Sequence, residues 1–155
     1  MLIRKAKVSE VSIIRDFLED NSQHGVIPRT LSYLYSHIHD YWVAECTCAP
    51  ILKPQIVGIA ALHVCWGETG EIRSLVVKEG FRGRDIGAKL MRYCLAWAIE
   101  LGLKKVFLLC LIPEYFKKFG FKEVPRSDLP PVAWADCVSC LKFPNCDEIP
   151  MLMDL

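Results

Sequence analysis

The sequence has little of what marks several large classes of protein. Its 155 residues carry a formal net charge of only +1, so no basic surface for nucleic acid is expected. No apolar run reaches the length of a membrane-spanning helix, and the N-terminus lacks the pattern of a signal peptide. Internal repeats, low-complexity blocks and linkers are also missing. We therefore expect one cytoplasmic domain over residues 1–155 that binds neither nucleic acid nor membranes.

The composition is that of a globular chain with an apolar core. Hydrophobic residues make up 52% of the sequence and charged residues 24%, which argues against disorder. There are eight cysteines. In a cytoplasmic protein they are expected to be thiols or metal ligands in preference to disulfides.

One stretch, residues 71–102, reads as a strand, a short basic loop and a helix. Its first residues are apolar and β-branched, as in a buried strand. From Asp85 onwards apolar residues recur every three or four positions, which indicates one face of a helix that ends before Gly102. A helix N-terminus directs free N–H groups and a positive dipole at the loop, where Arg82 and Arg84 add charge. The stretch predicts a site for phosphate or pyrophosphate.

The order of residues in the loop narrows the kind of phosphate site. The glycines at 80, 83 and 87 fit neither the dinucleotide fingerprint nor the P-loop. R-G-R-D-I-G, residues 82–87, resembles instead the acetyl-CoA pyrophosphate loop of the GCN5-related N-acetyltransferase (GNAT) family, [QR]-x-x-G-x-[GA]. A plain strand–turn–helix with a solvated basic loop is the alternative. The resemblance implies cofactor contacts from Leu75, Val76, Val77, Arg82, Gly83, Arg84, Asp85, Ile86, Gly87 and Ala88.

Asp85 stands where the family usually has glycine. We expect it to cap the following helix, because Asp accepts hydrogen bonds from the first free N–H groups. Its carboxylate also adds negative charge near a bound pyrophosphate, which is expected to weaken the binding of acetyl-CoA.

The other elements follow the order of the same family. The patterns over residues 2–124 predict the order strand–helix–helix–strand–strand–strand–helix–strand–helix–strand. The motif F-K-K-F-G-F at 116–121 resembles the family's element near the cofactor thiol. The resemblance implies an α+β domain with a mixed, largely antiparallel sheet flanked by helices. Acetyl-CoA then lies in the splay between two parallel central strands, one ending at Val77 and one over 105–111. Residues 125–155 are expected to form an irregular tail rich in cysteine and proline.

Acyl transfer to an amine needs a base, a site for the oxyanion and an acid for the leaving thiolate. The resemblance makes Glu71 the candidate base. Two alternatives remain open: a bound water could act as the base, and Glu71 could instead form an ordinary ion pair with Arg73. Most relatives have a tyrosine acid at the position of Phe116. Tyr115, the preceding residue, is the candidate acid, although neighbours on a helix point about 100° apart. The alternative is that Tyr115 is a partly buried aromatic side chain at the rim of the core. The resemblance also implies direct attack of the amine on the thioester.

The segment 25–45 resembles the front of the acetyltransferase domain of bacterial N-acetylglutamate synthases. This resemblance places Arg29 at the substrate mouth, where Arg73 could join it. Two guanidinium groups suit an α-amino acid with two carboxylates, above all glutamate, through bidentate contacts. We therefore expect an N-acetylglutamate synthase-like enzyme of arginine biosynthesis, with a homodimer implied at the level of the family. A solvated arginine at a helix start is the alternative for Arg29.

Cysteines in the tail follow the spacing C-x₂-C-x₅-C. We expect these residues, Cys137, Cys140 and Cys146, to be reduced thiols packed in an irregular tail, since a free cysteine behaves as a small hydrophobe. The alternative is a structural zinc site, for which they would supply three of the four ligands.

Two other functions are consistent with the sequence. The first is an acetyltransferase for another small amine or for a peptide N-terminus, which predicts that Arg29 and Arg73 face away from the pocket. The second is a non-catalytic acyl-CoA-binding regulatory module, which Asp85 and Phe116 favour because both depart from the family pattern.

Overall fold

A computed structural model describes residues 1–135, 137, 140 and 145–155. These residues form two compact units, one of residues 1–62 with 73–97 and one of residues 63–72 with 98–155. The helices are α1 (Val11–Asp20), α2 (Leu31–His37), α3 (Ile86–Glu100) and α4 (Pro113–Lys117). The strands are β1 (Leu2–Lys5), β2 (Tyr41–Cys48), β3 (Ile51–Trp66), β4 (Thr69–Val77), β5 (Lys105–Cys110), β6 (Lys122–Glu123) and β7 (Ile149–Asp154).

Hydrogen bonding orders the strands as β1-β2-β3-β4-β5-β7-β6. The pairs β1–β2, β2–β3, β5–β7 and β6–β7 are antiparallel, whereas β4 and β5 are parallel. The parallel register joins Thr69–Glu71 to Lys105–Phe107, while β4 continues to Val77 and β5 to Cys110. The mixed, largely antiparallel sheet and its helices confirm the α+β class that the sequence predicts.

In the first unit, the helices α1 and α2 contribute to a core shared with β2, β3 and β4. Val11, Ile14 and Leu18 recur at helical spacing on α1 and are buried, as their periodicity predicts. Helix α2 begins as predicted, because the Thr30 side chain accepts a hydrogen bond from the main-chain N–H of Tyr33 at 3.2 Å. This cap fixes the start of α2 and the direction of its first side chains.

A charged network joins β1 to β2 and to the start of α1. Arg4 donates from Nη2 to Glu10 Oε1 at 2.6 Å and from Nε to Glu45 Oε2 at 3.2 Å. The main-chain N–H of Lys7 also donates to Glu10, at 2.7 Å. The Arg4 guanidinium lowers the pKa of Glu10, so this stabilisation is present at neutral pH and is lost as the pH falls through the lowered pKa.

The second unit has β5 in its core. Phe107 of β5 is buried and lies in a cluster with Leu129 and Ala133. The end of the predicted irregular tail is in fact a strand, β7, which pairs with β5 and with β6. The sequence did not indicate this strand, because its six residues contain a proline and no alternation of polar and apolar side chains.

Two of the cysteines lie side by side at the end of β2. The Cα atoms of Cys46 and Cys48 are 5.7 Å apart. Among the described residues, the cysteines at 65, 94, 110, 137, 140 and 146 are in the thiol state. Within the described part of the chain, none of the helices has the length and apolar character to cross a membrane.

Candidate functional site

Basic side chains line the loop that follows β4. Arg82 donates from Nε to the main-chain oxygen of Val77 at 3.0 Å and from Nη2 to Asn21 Oδ1 at 3.2 Å. Arg84 is exposed, with its Cζ 5.3 Å from the centroid of the Phe81 ring. Arg82 therefore fastens the loop to the end of β4, while Arg84 places a positive charge at the surface beside the start of α3.

Asp85, the last residue before α3, has a φ of +61°. Its main-chain oxygen accepts from the N–H of Lys89 at 3.0 Å, and its carboxylate forms an ion pair with Arg92 at 3.2 Å. A positive φ favours glycine, although Asp tolerates it better than most residues. This conformation would suit the glycine that the family pattern has here. Asp85 stands directly before α3 and its main-chain oxygen accepts the first hydrogen bond of the helix, while its carboxylate pairs with Arg92.

The start of α3 lies unusually close to β3. A Cβ added at Gly58 would come within 3.1 Å of Leu90 Cδ1, 3.2 Å of Ile86 Cγ2 and 3.3 Å of the main-chain oxygen of Val76. Only a residue without a side chain leaves room for this approach. Gly58 thus helps to fix the N-terminal end of α3 beside the loop.

One residue of β4, near the end of the strand, departs from the extended backbone conformation. Ser74 has a φ of +58°, a conformation that is uncommon for a residue other than glycine within a strand. Ser74 directly precedes the segment Leu75–Val77, to which the family resemblance assigns main-chain contacts with the cofactor. Ser74 Oγ lies 3.4 Å from the hydroxyl of Tyr41.

Arg29 and Arg73, the two predicted substrate arginines, both contact Tyr33. Arg73 donates from Nη1 to the Tyr33 hydroxyl at 2.6 Å, and the Cζ of Arg29 lies 4.4 Å from the centroid of the Tyr33 ring. The Nε atoms of both arginines are buried. The structure therefore brings two guanidinium groups together around one aromatic side chain.

Tyr41 adds a buried hydroxyl to the same region. Burial raises the pKa of Tyr41; its hydrogen bond with Ser74 and the positive charges of Arg29 and Arg73 oppose this rise, and Asp40 adds to it. Tyr41 therefore stays neutral at physiological pH and can act as a hydrogen-bond donor.

The predicted base and acid belong to the second unit. Glu71 is half-buried on β4, and its Oε2 accepts from Cys65 Sγ at 3.9 Å. Tyr115 is also half-buried; its ring meets Phe116 edge-on at 5.1 Å, and Lys118 Nζ lies 4.0 Å from its centroid. Tyr115 thus has the packing of an aromatic at the rim of a cluster, and both catalytic assignments stay predictions.

The tail cysteines do not form a metal site among the described residues. Burial raises the pKa of Cys137, whose Sγ donates to the main-chain oxygen of Ala133 at 3.9 Å. Cys146 Sγ donates to a carboxylate oxygen of Glu148 at 4.0 Å. Residues 1–135, 137, 140 and 145–155 contain no group of three His, Cys, Asp or Glu side chains arranged to hold a metal. The alternative of a zinc site at Cys137, Cys140 and Cys146 therefore gains no support.

Sequence reasoning missed three residues of this region: Tyr33, Tyr41 and Ser74. The spacing of four residues between Arg29 and Tyr33 is not a helical signal, because Arg29 precedes the Thr30 cap and lies outside α2. The positive φ of Ser74 leaves no signal, because serine is ordinary in a strand end.

Comparison with known proteins identifies the family. The family model described as "Acetyltransferase (GNAT) family" matches residues 12–121. An N-acetyltransferase of Chlorobaculum tepidum, CT2212, is 34% identical over 154 residues, which cover 99% of this chain and 96% of the relative. An amino-acid acetyltransferase of Mycobacterium tuberculosis is 33% identical over 123 residues, 79% of this chain and 69% of the relative.

Solved structures show the same fold. Rv2747 from Mycobacterium tuberculosis, solved in complex with CoA and a second ligand, NLQ, has a TM-score of 0.84 and 27% identity, covering 100% of this chain and 99% of that one. N-acetylglutamate synthase from Neisseria gonorrhoeae, with coenzyme A and N-acetyl-glutamate, has a TM-score of 0.85 and 22% identity, covering 99% of this chain and 35% of that one. The chain belongs to the GNAT family and is an acetyl-transferring enzyme.

Proposed function

We propose that the protein transfers an acetyl group from acetyl-CoA to the α-amine of a small amino acid, most favourably L-glutamate, as in arginine biosynthesis. The observation that carries this proposal is the meeting of Arg29 and Arg73 around Tyr33. Two adjacent guanidinium groups suit a ligand with two carboxylates and disfavour a polyamine, whose positive charges they would repel. The amino-acid acetyltransferase of Mycobacterium tuberculosis, at 33% identity, supports the same class of substrate.

The loop after β4 fits the pyrophosphate of acetyl-CoA. The N-terminus of α3 faces it with main-chain N–H groups, and Arg84 adds an exposed guanidinium. Arg82 supports the loop through its bond to Val77. We assign cofactor binding to Arg82–Ala88 and to the main chain of Leu75–Val77, an assignment supported by the bound CoA of Rv2747.

Replacing Asp85 by glycine is expected to lower the KM for acetyl-CoA about two- to fivefold, because the change removes a carboxylate from beside the bound pyrophosphate. Asp85→Asn is the matched variant, since Asn also tolerates a positive φ but carries no charge. Steady-state kinetics with varied acetyl-CoA should give the same drop for both variants. If the KM for acetyl-CoA drops only in Asp85→Gly, the effect is due to the backbone conformation and not to the charge. If it drops in neither variant, the pyrophosphate does not bind beside Asp85.

The chemistry we propose follows the family pattern, with each residue in a separate role. Glu71, directly or through a water, removes a proton from the α-amine, which then attacks the thioester without a covalent enzyme intermediate. Main-chain N–H groups of Leu75–Val77 hold the oxyanion. Tyr115 is the candidate acid for the leaving thiolate; a thiolate is a tolerable leaving group, so this role contributes less than the others.

The first test is a thiol-release assay with acetyl-CoA and each of the twenty amino acids. We expect turnover with L-glutamate, lower kcat/KM with L-glutamine, and none with lysine or arginine, because the two guanidinium groups repel cationic side chains. Mass spectrometry of the product should locate the acetyl group on the α-amine. If acetyl-CoA binds but no amino acid is turned over, the proposed substrate class is wrong, and other small amines and peptide N-termini come next.

Two further assignments stay predictions from the sequence. A cytoplasmic location is expected, together with a homodimer implied by the family. Light scattering of the purified protein measures its oligomeric state directly.

A further inference from the structure

We propose that Tyr33 is a positioning residue that holds Arg29 and Arg73 in the orientation that receives the substrate carboxylates. The ligand's identity rests on the proposed function, whereas the positioning is a property of this chain's own side chains. Tyr33 lies at the centre of this group, since its hydroxyl contacts one arginine and its ring contacts the other.

The hydroxyl fixes Arg73. The guanidinium is planar and its N–H donors form a rigid fork, so anchoring one nitrogen sets the direction of the others. Nη1 of Arg73 is anchored by the Tyr33 oxygen at 2.6 Å, and its Nε is buried. The hydrogen bond therefore restricts the directions that the guanidinium of Arg73 can face.

The ring fixes Arg29. Its Cζ lies 4.4 Å from the ring centroid, within the range of a cation–π contact. Contact with the ring face constrains the guanidinium of Arg29 without a hydrogen bond from the tyrosine. One side chain thus holds two guanidinium groups in different ways, through a hydrogen bond and through its face.

Tyr33 is itself held firmly. Its main-chain N–H donates to Thr30 Oγ1 at 3.2 Å, at the cap of α2. Its ring stacks on His37, with centroids 4.0 Å apart and planes inclined by 10°. His37 Nδ1 donates to the main-chain oxygen of Tyr33 at 2.8 Å, which fixes the imidazole against the ring. Because the main chain of Tyr33 is fixed by two hydrogen bonds and its ring is stacked on His37, the side chain can serve as a rigid support.

The test separates the two contacts. Tyr33→Phe removes the hydroxyl and keeps the ring, and is expected to raise the KM for L-glutamate about tenfold while kcat and the KM for acetyl-CoA stay unchanged. Tyr33→Leu removes both contacts and is expected to raise that KM further. Tyr35→Phe is the matched control, because Tyr35 lies on the same helix with 54% of its surface exposed. Equal KM values for Tyr33→Phe and the wild type would overturn the proposal.

A double-mutant cycle distinguishes positioning from direct contact with the substrate. In an Arg73→Ala background, Tyr33→Phe is expected to change the KM for glutamate by less than about twofold, since the hydroxyl acts through Arg73. A further tenfold rise in that background would contradict the positioning role.

A measurement without substrate keeps this inference separate from the proposed function. Nitrogen NMR of the arginine side chains reports rotation of the Arg73 guanidinium, which is expected to be slow in the wild type and faster in Tyr33→Phe. If no amino acid is turned over but this difference is seen, the substrate class fails and the positioning stands. Equal rotation rates in the two proteins would overturn the positioning itself.

Discussion

Replacing both Arg29 and Arg73 by alanine is expected to raise the KM for L-glutamate by about a hundredfold or more. Each guanidinium makes charge-assisted hydrogen bonds with a substrate carboxylate, and losing one such contact costs roughly 1.5–3 kcal/mol. At about 1.4 kcal/mol for each tenfold change, each single variant should lose at least tenfold. We expect the KM for acetyl-CoA to change much less, because both guanidinium groups contact Tyr33, whereas the charged side chains of the cofactor loop, Arg82 and Arg84, follow the end of β4.

Arg15→Ala provides the control for this experiment. Arg15 is an arginine at the surface of α1, paired with Asp16 at 2.9 Å, and its removal should leave both KM values as in the wild type. Kinetics with varied glutamate and with varied acetyl-CoA measure the two effects separately. A double variant with an unaltered KM for glutamate would exclude these arginines from the substrate site, whereas a rise in the KM for acetyl-CoA alone would move them to the cofactor.

Gly58→Val is expected to destabilise the fold by about 2 kcal/mol and to lower the melting temperature by about 4–8 °C. A side chain at this position meets Ile86 and Leu90 of α3 and the carbonyl oxygen of Val76 on β4, all within 3.3 Å. The carbonyl belongs to the backbone of a strand and cannot give way, so the added side chain presses on Ile86 and Leu90. We expect the start of α3 to move outward under this pressure, together with the N–H groups that face the loop.

The same substitution is expected to raise the KM for acetyl-CoA, because the pyrophosphate loop depends on the position of α3. Gly80→Val is the matched control for stability, since a Cβ there meets nothing within 4 Å. Differential scanning calorimetry of the two variants measures the change in melting temperature. Kinetics of Gly58→Val with varied acetyl-CoA measures the change in KM. An unchanged melting temperature in Gly58→Val would mean that α3 does not depend on this close approach.

Most of the helices and strands could be predicted from local sequence patterns. The run from Glu71 to Gly102 predicted a strand, a loop and a helix, and the structure has β4 ending at Val77 and α3 over Ile86–Glu100. These elements were readable because periodicity and turn residues act within a few positions. β7 was missed for the opposite reason: its partner β5 lies far away in the sequence, and pairing between distant strands leaves no local pattern.

The candidate site was predictable only in part. Arg29 and Arg73 could be singled out by their chemical type, but the side chain that joins them could not, because Tyr33 reads as an ordinary aromatic of a short helix. The positive φ values of Ser74 and Asp85 were equally hidden. Backbone conformations of this kind are imposed by the surrounding fold and not by the residue that adopts them.

The position of β7 between β5 and β6 also matters while the chain is being synthesised. Strand β5 leaves the ribosome well before β7, since residues 111–148 lie between them. At about 5–20 residues per second, translating that segment takes roughly 2–8 s. During this interval one edge of β5 has no neighbour, although Val106, Phe107 and Leu108 become fully buried in the native state. An unpaired apolar edge can join another nascent chain, so slow translation or high expression should favour aggregation before folding is complete.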